Sequence, residues 1–190
     1  MKDESIARLY RLWGQYNSRL VDAIRPLSDE QLKLRAGPNN FPIWALAAHT
    51  AGTRVYWLCG VFKEKGAETT PFTDPLSGFG WEDEPDKPRG AAELVGALES
   101  TWRIVEGCLE RWTTSMLDEE FTRETARGPQ RHTRQSVLMR MLSHDAFHSG
   151  EISQLLGAHG LGEIDNGAVS GDHPDVAVVP VENRRAVGYR

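Results

Sequence analysis

Apolar residues recur at spacings of three and four along four stretches of the chain. In the first, Ile6, Leu9, Tyr10, Trp13, Leu20 and Ile24 follow that spacing, with Asn17 among them. The pattern predicts an amphipathic helix over about 4–25. Arg25-Pro26 ends it, because the residue before proline avoids the helical region. Ser28-Asp-Glu-Gln31 has the form of a capping box and predicts a short helical turn. Gly37-Pro-Asn-Asn40 then breaks the chain.

A second long helix is expected from near Pro42 to about Lys63, since proline is tolerated in a first turn. Trp44, Ala48, Ala51, Val55, Leu58 and Phe62 form one stripe, and Ala45, His49, Gly52, Tyr56 and Gly60 a neighbouring one. Thr50 and Arg54 are expected on the solvent side. His49 lies about 140° around the helix from Arg54 and is expected to point inward. Its small neighbours would leave space beside the imidazole.

Residues 66–90 are rich in Gly and Pro, with Phe72, Phe79 and Trp81 among acids. So long a connection is often functional. It reads either as a cover near a pocket or as a solvated connector tacked down by its aromatics. Leu94, Leu98, Trp102, Val105, Leu109 and Trp112 predict a third helix over about 90–113. A helical turn is expected near 115–121, and Arg127-Gly-Pro129 is a break. Thr133 is a plausible N-cap for a fourth helix over about 134–159, closed by His159-Gly160. Four long helices without a convincing strand pattern predict an all-α four-helix bundle over 1–160. The remaining 161–190 form a tail without period, expected to pack on the bundle or at a dimer contact.

Composition narrows the function. The 190 residues carry a formal charge of −5, 39% hydrophobic and 26% charged residues. The basic residues are mixed with acids, which disfavours nucleic-acid binding. No run of about 18 apolar residues predicts a membrane span. The charged start lacks the form of a signal peptide, so a cytoplasmic location is expected. Cys59 and Cys108 sit within predicted helices without C-x-x-C spacing and read as buried free thiols.

The chemistry centres on the fourth helix. Val137, Met141, His144, His148, Ile152 and Leu155 share a narrow stripe. Positions i and i+4 lie one turn apart on one face, so His144 and His148 can hold one metal ion. The spacing alone is weak, because core histidines satisfied by hydrogen bonds share it. His49, inward on another helix, strengthens it, since bundle metal sites draw ligands from facing helices. Three histidines leave a position open on a divalent ion, the arrangement of catalytic sites. Imidazole suits zinc, nickel, iron or copper.

Asp145 also projects toward the apolar side. It can orient a ligating imidazole or pair with an Arg on a neighbouring helix. Glu151, at the stripe's edge, can be a fourth ligand, a general base or a solvated residue. His132, His159 and His173 are left out of the site. No nucleophile elbow, phosphate loop, dinucleotide fingerprint or H-E-x-x-H motif is present.

Trp44-Ala-Leu-Ala-Ala-His49-Thr-Ala-Gly, followed about 95 residues later by Leu142-Ser-His144-Asp-Ala-Phe-His148-Ser-Gly-Glu-Ile, resembles the DinB/YfiT-like metalloenzyme superfamily. Leu27-Ser-Asp-Glu-Gln-Leu32 and Gly37-Pro-Asn resemble that family's lead-in to its second helix. The likeness covers about 5–160. It implies an up-down-down-up bundle, often dimeric, with a divalent metal on His49, His144 and His148, zinc or nickel first and iron next. Characterised relatives include the mycothiol-dependent maleylpyruvate isomerase and bacillithiol S-transferases. Family members often carry Gln where this chain has Glu151.

The leading expectation is therefore a metal-dependent S-transferase using a low-molecular-weight thiol on a small electrophile. Glu151 or Tyr56 would assist proton transfer. The alternatives are a metal-dependent hydrolase and a non-catalytic metal- or ligand-binding protein of the stress response.

Overall fold

The computed structural model describes residues 4–77 and 79–164. Four long helices carry the fold: α1 (Ala7–Ile24), α3 (Ile43–Val55), α4 (Ala91–Arg111) and α5 (Arg134–Ala158), with the one-turn α2 (Asp29–Leu32) after the first. The capping box expected at α2 forms. Gln31 N–H donates to Ser28 Oγ, and Ser28 N–H donates to Gln31 Oε1 at 2.8 Å. Thr133 caps α5, its Oγ1 accepting from Ser136 N–H at 3.1 Å. Gly160 ends α5 in the left-handed region at φ 69°. The N–H groups of Gly160 and Leu161 donate back to Gly157 O and Leu156 O and so satisfy the last carbonyls.

The direction of the helices follows from two core clusters. In one, the early turns of α3 (Ile43–Ala48) and α4 (Leu94, Leu98) meet the ends of α1 (Leu20, Ile24) and α5 (Ile152, Leu156). In the other, the chain after α3 (Leu58, Phe62) and the end of α4 (Val105, Leu109) meet the starts of α1 (Trp13) and α5 (Val137, Leu138). So α3 and α4 run parallel, and both oppose α1 and α5. The bundle is up-down-down-up, and the long connection between α3 and α4 returns the chain to the end from which α3 set out.

Four expectations need correction. The second helix is not uniform: α3 passes into a π-helical turn at Tyr56–Val61. Lys63 closes it at φ 61°, and Glu64 N–H donates to Leu58 O at 2.9 Å. Residues expected as helical turn and break instead hold a short antiparallel hairpin, β1 (Glu120–Arg123) with β2 (Gln130–Thr133). A 3-10 turn at Thr114–Met116 precedes it. Both strands have four residues, and only Phe121 and Arg123 of β1 turn partly inward, too few to register as alternation. Leu9 is 70% exposed, off the seam that Ile6, Trp13 and Leu20 define at steps of seven.

The fourth correction bears on the site. Thr50 and Arg54 are buried, Arg54 at 1% exposure. That side of α3 faces the bundle, where Arg54 meets Asn17 of α1, Leu98 of α4 and Asp145 of α5, and the 66–90 connection folds over the face that carries Gly52 and Gly60. The Phe72 ring packs where a Gly52 Cβ would point, and Leu76 and the Pro75 carbonyl do the same at Gly60. Gly52 and Gly60 admit this cover and also line the open space expected beside His49. Of the C-terminal tail, residues 165–190 and the packing or dimer role expected of them lie outside the described residues.

Candidate metal centre

α5 brings His144 and His148 to one face, and α3 brings His49 opposite them. One nitrogen from each lies within 4.8 Å of the others. His49 Nε2 and His144 Nε2 are 3.0 Å apart, close to the roughly 3.4 Å between nitrogens sharing one tetrahedral ion at ordinary bond lengths.

The far ring nitrogens show how the rings are aimed. His49 Nδ1 donates to Glu82 Oε1 at 2.5 Å, and His148 Nδ1 donates to Glu151 Oε2 at 2.7 Å. A carboxylate on Nδ1–H fixes the tautomer that leaves Nε2 with a free lone pair and raises its basicity. His144 Nδ1 is buried with no partner. Burial pushes the His144 pKa down to about 3, aided by His148, His49, Arg54 and Arg140. It is therefore neutral, the form a ligand requires. By donor type, spacing and orientation, the three histidines form a group that could hold a metal ion.

Of the two acids singled out from sequence, Glu151 holds the His148 ring in place and so takes the orienting part considered for Asp145. Asp145 instead lies one residue from His144 in a buried polar knot. Its Oδ2 accepts from Arg54 Nε at 3.1 Å, Arg54 Nη2 at 2.8 Å and Trp13 Nε1 at 2.9 Å. Arg54 Nη1 also donates to Asn17 Oδ1 and Leu98 O. The knot ties α1, α3, α4 and α5 together beneath the histidines. Glu82 escaped the sequence reading because it sits in the irregular connection, in a 3-10 turn (Trp81–Asp83) that packs against α3. The available signal was an acid beside Phe79 and Trp81 in a segment already suspected of covering a pocket.

The cluster opens on two sides. A cleft of about 800 Å³ is floored by His49 and His144 and walled by Gly52, Tyr56, Trp57, Phe72, Glu82, Arg123 and Arg140. So the 66–90 connection does line the cleft, and Tyr56 shares it with two of the histidines. A second cleft of about 700 Å³ reaches His148 and Glu151 past Arg35, Phe41 and Leu46. His159 borders it, with Nδ1 on Leu155 O. His132 packs its ring on Trp57, and His173 is outside the described residues. Both cysteines are buried, which pushes Cys59 up to about 11 and Cys108 to about 12. Neither is an accessible thiolate.

Two predictions arise here. Glu82→Gln and Glu151→Gln each lower metal affinity about 10–100-fold, read by competition with a chromogenic chelator. Unchanged affinity in both would remove the carboxylates from the site. Chelator-treated protein loses stability as pH falls from 6.5 toward 3, because the unfolded chain gains a proton at His144 that the folded chain refuses. Above pH 6.5 this contribution is flat. Urea melts across that range check the sign.

Comparison with known proteins agrees with this architecture. No curated protein matches the chain. A crystal structure of a DinB-like protein from Bacillus cereus ATCC 10987 is similar in fold, with a TM-score of 0.61 at 16% identity, covering 83% of this chain and 95% of that one. No described helix is long and apolar enough to cross a membrane. The family model for the DinB superfamily matches residues 13–152, which include all three histidines, and the chain belongs to that superfamily.

Proposed function

We propose that the protein is a divalent-metal-dependent transferase that joins a low-molecular-weight thiol to a small electrophile. The observation that carries this reading is the convergence of His49, His144 and His148, with His49 and His144 at the floor of an open cleft and two of the three held by carboxylates. His49, His144 and His148 would hold a divalent ion, which would supply the Lewis acidity that lowers the pKa of a bound thiol. Three imidazoles suit zinc, nickel, iron or copper, and zinc or nickel is the proposed ion, with iron next. The attacking sulfur comes from outside the chain, because Cys59 and Cys108 are buried with raised pKa values.

Within the cleft Tyr56 is the proposed proton-transfer group. Its hydroxyl oxygen accepts from Arg123 Nε at 2.5 Å, which aims the ring and leaves the phenolic proton available. Glu151 acts through His148, holding the ring whose other nitrogen serves as ligand. The aromatic cover from the 66–90 connection limits water at the floor. Leu9 on α1 and Met139 and Phe147 on the neighbouring α5 are exposed apolar residues. They support a homodimer, which light scattering of the purified protein checks.

The test is consumption of monochlorobimane with a panel of small thiols. A sulfur–carbon bond forms, chloride leaves and the thiol proton passes to solvent. Turnover is expected to require both thiol and metal, and to be lost on chelation and in His148→Ala. Hydrolysis without thiol would move the assignment to a hydrolase. A metal-loaded protein inactive in both assays would make it a binding protein.

A further inference from the structure

Two guanidinium groups of the cleft, those of Arg123 and Arg140, form no ion pair with an acid among the described residues. Arg140 lies on α5 one turn before His144, on the same face. Arg123 comes from β1. Their guanidinium carbons lie 5.3 and 5.2 Å from the centre of the same Trp57 ring. Trp57 is buried at 5% exposure in the π-helical turn, so both cations lie against one buried ring. Arg123 spends its Nε on Tyr56. No carboxylate among the described residues pairs with either arginine.

The cleft does have acids. Glu82 is taken by His49 and Asp83 by the Gly80 N–H, while Asp74 belongs to the covering connection. Glu124 follows Arg123 with its residue exposed. The contrast with the rest of the surface is informative. Arg25, Arg89, Arg111, Arg131 and Arg134 all pair with Glu. Arg8, Arg35, Arg103 and Arg127 are exposed to solvent, whereas Arg123 and Arg140 share one ring within the cleft that holds His49 and His144. Two like charges against one ring in one cleft favour an anion beside them, and guanidinium forks match carboxylate, phosphate and sulfonate oxygens.

We infer that Arg123 and Arg140 form an anion subsite, so that the substrate carries a carboxylate, phosphate or sulfonate group within reach of the histidine floor. This deepens the proposed function by naming its substrate class, and it rests on that reading for the word substrate. The two arginines are specificity groups. They hold the anionic end against Trp57 while the reacting end faces His49 and His144.

The experiment reads binding without turnover and without metal. Chelator-treated protein is titrated calorimetrically with succinate and with inorganic phosphate, and with succinamide as the neutral counterpart of succinate. At least one anion is expected to bind, and succinamide to bind at least tenfold more weakly. Arg140→Gln weakens the anion several-fold, and Arg123→Gln/Arg140→Gln at least tenfold. Arg140 is exposed, so its single variant tests the idea even where the double variant is unstable. No binding of either anion, equal binding of succinamide, or undiminished binding in Arg140→Gln would each overturn the inference. Elemental analysis of Arg140→Gln keeps the two readings apart. Metal retained with anion binding lost supports the subsite, whereas a wild-type protein that takes no metal sinks the enzymatic reading and leaves this test intact.

Discussion

Arg54→Met is expected to destabilise the protein by about 3–5 kcal/mol, the usual cost of leaving one buried charge without its partner. The variant keeps a similar volume and removes only the guanidinium. It strands Asp145, whose Oδ1 is already buried without a partner and whose Oδ2 would keep only the Trp13 indole N–H. It also leaves Asn17 Oδ1 without its Arg54 donor, while the Leu98 carbonyl keeps the Thr101 hydroxyl. For a chain of this length the loss corresponds to a melting temperature lower by roughly 10 °C. Asp145→Leu should cost a similar amount for the reciprocal reason. The double variant should cost clearly less than the two single changes combined, because the stranded charge disappears. Urea denaturation of the four proteins measures the cycle. A single-variant loss below about 1 kcal/mol, or strict additivity, would show that the pair does not hold the helices together. Since Asp145 adjoins His144, Arg54→Met should also loosen the histidine floor.

The second large effect concerns the histidines. Wild-type protein supplied with zinc or nickel during expression is expected to retain close to one ion per chain. His49→Ala, His144→Ala and His148→Ala should each lose it. If a tight site of four ligands is worth about 10–16 kcal/mol, each ligand contributes about 3 kcal/mol, or at least a hundredfold in affinity. That exceeds the effect expected of Glu82→Gln or Glu151→Gln, which only release a ring to turn. The ranking is itself a test. Equal losses in a histidine variant and a carboxylate variant would make the carboxylates ligands. Elemental analysis beside circular dichroism reads the loss and confirms that the bundle persists. His49→Ala is the most telling variant, because its side chain is 36% exposed and its removal should cost the fold little.

Much of the fold was legible because local rules and tertiary packing agree over most of the chain. Apolar spacing in the first, third and fourth helices marks faces that do enter the core. Caps at Ser28 and Thr133 and the left-handed Gly160 act through neighbours a few residues away, so the sequence states them directly. The hairpin was not legible. Its pairing joins Glu120 to Thr133 across a turn, and its polar strands are held by Phe121 against Phe62 and by Arg123 on Tyr56.

The candidate site divides the same way. The sequence by itself determined that His144 and His148 share a helix face, since 3.6 residues per turn leaves no alternative, and its motifs pointed to His49 as their partner. Only the tertiary structure decided what surrounds them. Helical periodicity locates a residue relative to its own helix and says nothing of what covers the other side. α3 is enclosed by α4, α5 and the 66–90 connection, so Arg54 lies in the interior, where it neutralises Asp145. Glu82, Arg123 and Arg140 reach the cleft from three separate elements. Their meeting depends on chain closure over tens of residues, and no local pattern records it.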